Sequence, residues 1–65
     1  MKISVVYGRR ASDRVEIEIS NIKNEREIYI AAAESVESRG EENSNHIAAV
    51  VVELVQQGQY TVITP

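Results

Sequence analysis

The chain has no cysteine, phenylalanine or tryptophan, and only one leucine, one proline and one histidine among its 65 residues. Without cysteine there can be no disulfide, no Cys-ligated zinc, no iron–sulfur cluster and no thiol catalysis. A secreted domain of this size would ordinarily be stapled by disulfides, so a cytoplasmic location is expected. The three glycines are scattered, and no Gly-x-Gly-x-x-Gly, Gly-Lys-Ser/Thr or Gly-x-Ser-x-Gly string occurs, so no phosphate-cradling loop or nucleophile elbow is expected. The opening Met-Lys-Ile-Ser-Val-Val-Tyr-Gly is too short an apolar stretch for a signal sequence. No run approaches the roughly 18 apolar residues of a membrane span, so no membrane association is expected.

What is present is a globular composition, 43% hydrophobic and 26% charged. Isoleucine and valine together supply 17 residues, and such branched aliphatics favour strands. The length allows one small domain, residues 1–65, burying only about 60% of its unfolded surface. The net charge of −3 is unevenly distributed. Residues 1–14 hold Lys2, Arg9, Arg10 and Arg14 against Asp13 alone, whereas the rest holds Lys23, Arg26 and Arg39 against nine glutamates.

Ile3, Val5 and Tyr7 alternate with Lys2, Ser4 and Val6, and Val15, Ile17 and Ile19 alternate with Glu16, Glu18 and Ser20. That is the pattern of two half-buried strands. Pairing Ile3 with Ile19, Val5 with Ile17 and Tyr7 with Val15 puts all six on one face and leaves residues 8–14 as a basic hairpin loop. Asn24-Glu25-Arg26-Glu27 reads as a capped helix start, and Ile28, Tyr29, Ala32, Ala33 and Val36 share one face of a helix over about 25–38. A short strand through Glu27–Ala31 is the competing reading, which the alanine run disfavours. Gly40 breaks the pattern, and Asn43, Ser44 and Asn45 offer caps for a second helix over about 45–57. Its apolar stripe is Ile47, Val50, Val51, Leu54 and Val55, with Gly58 closing it. Residues 59–64 read as a last strand. The fold expected is α+β, a two-layer sandwich of a three-stranded sheet with two helices on one face, in the order β-β-α-α-β. Strands running from Lys2 to Thr64 are the economy expected of a complete small protein.

No constellation of residues supports catalysis. His46 lies in the first turn of the second helix, where a solvated imidazole is the plain reading and no oxyanion site or cleft accompanies it. Glu41, Glu42, Asn43 and Asn45 lack the spacing of a calcium loop, and Glu16 and Glu18 read as surface charge. No metal, cofactor or catalytic residue is therefore expected. Two features point to binding. Arg9, Arg10 and Arg14 at the hairpin tip could engage an acidic protein surface or phosphates. Nucleic acid is the lesser alternative, because the remaining chain is acidic and no aromatic is interleaved with the arginines. Apolar residues the core does not claim, Ile30, Ala48 and Val52 on the helices, Val6 on the hairpin's outer face and one of Tyr60 or Ile63, would form an interface with a protein partner or a second copy. The sheet edges offer strand addition as well. The expectation is a non-enzymatic, regulatory or accessory protein that acts through protein–protein contacts as a homodimer.

Overall fold

The computed structural model describes all 65 residues. Strand β1 (Lys2–Val6) and strand β2 (Arg14–Glu18) form an antiparallel hairpin. Helix α1 (Glu25–Ser38) and helix α2 (Ser44–Gln56) follow, and strand β3 (Thr61–Thr64) returns antiparallel to β1. The sheet order is β2-β1-β3. The first strand of the chain is thus the central one, and the architecture is the expected two-layer α+β sandwich. Period-2 patterning decides the faces: Ile3, Val5, Val15 and Ile17 are buried beneath the helices. Lys2, Ser4, Glu16 and Glu18 line the other, polar face, where Lys2 Nζ lies 3.6 Å from Glu16.

The hairpin register differs from expectation by two residues. Ile3 pairs with Ile17 and Val5 with Val15, while the Ile19 amide donates to the Met1 carbonyl at 2.8 Å. A two-residue slip keeps every apolar side chain on its face, so the pattern could not distinguish the registers. The turn decides instead. The Tyr7 amide donates to the Asp13 carbonyl at 2.9 Å, which confines the connection to residues 8–12.

Residues 27–31 are helical, not a strand. The Asn24 side chain accepts from the Glu27 amide at 3.1 Å. The Glu27 carboxylate does not complete a capping box. It reaches the preceding turn, accepting from the Ser20 amide at 2.9 Å and the Asn21 amide at 3.1 Å. Both helices end in the same way, on a left-handed glycine. After α1, Gly40 (φ 77°) donates to the Glu37 carbonyl and Glu41 to the Val36 carbonyl. After α2, Gly58 (φ 79°) donates to the Val55 carbonyl and Gln59 to the Leu54 carbonyl. These paired bonds satisfy carbonyls that the helix would leave open and reverse the chain sharply. The reversal carries Gln59 and Tyr60 out of the sheet, so β3 starts at Thr61 and not at residue 59. At the start of α2, Asn43 takes a left-handed conformation (φ 62°) and makes no side-chain cap.

The α2 stripe is rotated from the expected one. Ala48, Val51 and Val55 are buried, while Ile47, Val50 and Leu54 are only half-buried. Ala48 is therefore a core residue with no exposed surface, which corrects its assignment to an interface. Residues 47–52 are apolar without interruption, so the wheel alone cannot fix the centre of the stripe. Close packing of the two helices within their layer selects small side chains, and Ala32 of α1 and Ala48 of α2 are both fully buried.

Candidate interaction surfaces

The hairpin loop is organised around Asp13, the one polar residue in the core, 8% exposed. Its carboxylate accepts from the Arg10 amide at 3.2 Å, and the Arg10 guanidinium lies 3.3 Å from its second oxygen. The Arg10 amide bond, assisted by the nearby guanidinium, holds the Asp13 carboxyl below its ordinary range. Arg14 pairs with Glu16 at 3.1 Å. Two of the three arginines expected at the tip are thus matched to carboxylates, Arg14 from the first position of β2, and Arg9 alone extends without one. The tip is a folded, largely neutralised turn and not an open basic prong.

Arg39, just past α1, fastens this loop to the helices. Its guanidinium donates to the Ser12 carbonyl at 3.2 Å, the Arg14 carbonyl at 2.8 Å and the Tyr7 hydroxyl at 2.9 Å, and it pairs with Glu41 at 2.7 Å. The Tyr7 hydroxyl in turn donates to Glu41 at 3.2 Å. The turn at Gly40 brings Glu41 back beside Arg39, so this knot follows from a helix C-terminus. Burial raises the Tyr7 pKa and keeps the phenol protonated, with Arg39 opposing the shift. Each polar group in the knot is satisfied by another. Nothing in the spacing of Tyr7, Arg39 and Glu41 announces the cluster, because it joins residues more than 30 apart.

Acid should expose these arrangements. Hydrogen bonds from backbone amides hold the Glu27 carboxyl, like that of Asp13, below its ordinary value. A carboxylate whose folded pKa is depressed contributes stability that is complete above the unfolded value and is lost as pH falls through the folded one. Stability should therefore be level above the ordinary values of 4.5 for Glu27 and 3.8 for Asp13, and should decline below them. Urea midpoints measured across that range should show the decline. It should be shallower in Asp13→Asn and Glu27→Gln, and unchanged slopes in both variants would refute the assignment.

Two of the residues expected at an interface, Ile30 and Val52, lie on the helical surface. Ile30 is 46% exposed on the solvent side of α1, in a depression it shares with Arg26 and Glu34. Val52 is half-buried in the groove between the helices, with Tyr29 and Ala49. Arg26 borders both depressions, so a charge separates Ile30 from Val52. His46 is exposed in the first turn of α2. The surface depressions are shallow and open, the largest about 440 Å³. No three His, Asp or Glu side chains converge in a way that could hold a metal ion, and no helix is long and apolar enough to cross a membrane.

The two sheet edges differ in kind. Strand β2 presents Arg14, Glu16 and Glu18 along its length, charges of the sort that discourage a further strand. Strand β3 reads Thr-Val-Ile-Thr, carries no charge and is exposed at all four residues. Val62 is 46% and Ile63 44% exposed, and Val6, 60% exposed, lies nearby on β1. Exposed apolar side chains on an unprotected edge are uncommon in a protein that stays alone. The sequence pattern flags the edges but not their asymmetry, which depends on β1 lying in the middle.

No protein-family model matches the chain, and neither a curated protein nor a solved structure is significantly similar to it.

Proposed function

We propose that the protein is a non-catalytic interaction module that acts in a regulatory or accessory role by binding a protein through the open edge of its sheet. The carrying observation is strand β3, uncharged, exposed at each of its four residues and bearing Val62 and Ile63. Main-chain hydrogen bonds to such an edge supply affinity, and the apolar side chains beside it supply selectivity. The shallow relief of the surface supports a binding role over an enzymatic one. The engagement of Arg10 and Arg14 by Asp13 and Glu16 supports a protein partner over nucleic acid. A cysteine-free composition supports a cytoplasmic location.

The test is affinity capture from nuclease-treated lysate of the source cell, comparing the wild type with Ile63→Lys and with Arg9→Ala. A protein retained by wild type and Arg9→Ala but lost from Ile63→Lys is the expected result. Capture that depends on intact nucleic acid and on Arg9 would replace this reading with one centred on the hairpin tip.

A further inference from the structure

We infer that the occupant of the β3 edge is a second copy of this chain, paired antiparallel about a two-fold axis between Val62 and Ile63 to make one six-stranded sheet. The inference rests on the reading of β3 as the binding edge and adds the identity of the partner. The strand Thr-Val-Ile-Thr reads in either direction as two β-branched aliphatics between threonines, so this pairing sets Thr61 against Thr64 and Val62 against Ile63 of the other copy. With no charge on the strand, two chains of net charge −3 bring no like charges together along the ladder.

Register decides whether such a dimer keeps its layers. In a regular strand, residues three apart face opposite sides, and the proposed pairing would throw the two helical layers onto opposite faces of the sheet. Strand β3 is not regular. Thr61 pairs with Ser4 and Thr64 with Lys2, and a bulge between Lys2 and Ile3 absorbs the extra residue, Ile63. Ser4 and Lys2 both belong to the outer face, so Thr61 and Thr64 share that face despite their spacing. The bulge therefore makes the strand symmetric in facing as well as in residue pattern, and both helical layers fall on the same side.

The same arrangement covers what one copy leaves open. Val62 pairs with the buried Ile3 and faces the helical side, yet it remains 46% exposed because no helix lies above β3. Val52 and Ala49 face the groove toward α1, so Ile47, Val50 and Leu54 form the opposite flank of α2, toward β3. Adjacent strands are about 4.8 Å apart, which puts the two β1 strands of the dimer about 14 Å apart. Helices above them would approach the roughly 10 Å of direct helix packing, with Val50 and Leu54 filling the difference. A stable dimer needs about 1,200 Å² of total buried surface, roughly one-seventh of each chain's 4356 Å². A strand pairing together with the α2 flank would have to bury that much.

Sedimentation equilibrium up to about 0.2 mM tests this, a range that reports affinities from micromolar to millimolar. The wild type should reach the dimer mass. Ile63→Lys and Val62→Lys should weaken association at least about tenfold, equivalent to about 1.4 kcal/mol. Val52→Glu, on the other flank of α2, should leave it unchanged. Neither Val62 nor Ile63 belongs to the core, so circular dichroism of the lysine variants should match the wild type. A wild type that stays monomeric overturns the inference, as does a dimer that ignores Ile63→Lys. In either case, loss of a lysate protein from Ile63→Lys would still uphold β3 as a binding edge. A dimer that Ile63→Lys weakens, with no lysate protein lost from that variant, would uphold self-pairing alone.

Discussion

Ile28→Ala should leave much of the protein unfolded at room temperature. Ile28 is 1% exposed and stands in the first turn of α1, where the helix meets the sheet. Truncating a buried isoleucine costs about 2–5 kcal/mol, the lost transfer free energy plus the cavity that neighbours fail to fill. A single core in a domain of this size rarely supplies more than about 3–5 kcal/mol in total. The substitution therefore removes a quantity comparable with the whole stability. Ile30→Ala, two residues on but pointing to solvent, should stay within about 0.5 kcal/mol of the parent. Urea unfolding of both variants separates core from surface. Equal midpoints would mean that α1 is not docked by the face described above.

Gly8→Ala should be the most damaging change outside the core, for a reason invisible in composition. A β-carbon at residue 8 would lie 2.8 Å from the Asp13 carboxyl carbon and 2.9 Å from its β-carbon. The far end of a free side chain could swing away, but Asp13 is held by the Arg10 amide and guanidinium and is nearly buried. Relief requires the loop to open. Overpacking of this kind costs about 1–3 kcal/mol. The variant should lose stability at neutral pH and also the part of its acid sensitivity that Asp13 supplies. In the Asp13→Asn background the added cost of Gly8→Ala should persist, because the β-carbon contact remains, while the pH effect should vanish. A Gly8→Ala protein with wild-type stability and acid response would contradict the packing of this turn.

How far the sequence determines this molecule varies from residue to residue. The faces of the hairpin follow from alternation of apolar and polar residues, and the helix ends from Asn24, Gly40 and Gly58, because a cap or a left-handed turn is a local requirement. The hairpin register escapes that logic, since Ile3 finds an isoleucine on the right face at either Ile17 or Ile19. The burial of Ala48 escapes it for a related reason. Hydropathy ranks Ile47, Val50 and Leu54 above alanine, but a tight helix–helix contact selects the smaller side chain. At the candidate sites, Arg9, Arg10 and Arg14 are recognisable as a basic tip, yet their neutralisation depends on a turn geometry that brings Asp13 and Glu16 to them. The Tyr7–Arg39–Glu41 knot and the openness of β3 are products of chain topology, and no short-range pattern encodes them.

Strand β3 contributes none of the 11 buried hydrophobic residues. The hairpin and the two helices thus complete their own apolar interior, and the last strand is held to β1 mainly by its backbone ladder. Local opening of the outer strand, with the rest of the molecule still folded, is therefore expected to cost less than global unfolding. Detachment would uncover the main-chain edge of β1, with an identical strand from a neighbouring chain available to fill it. The route from two closed copies to exchanged ones is short for a chain built in this way.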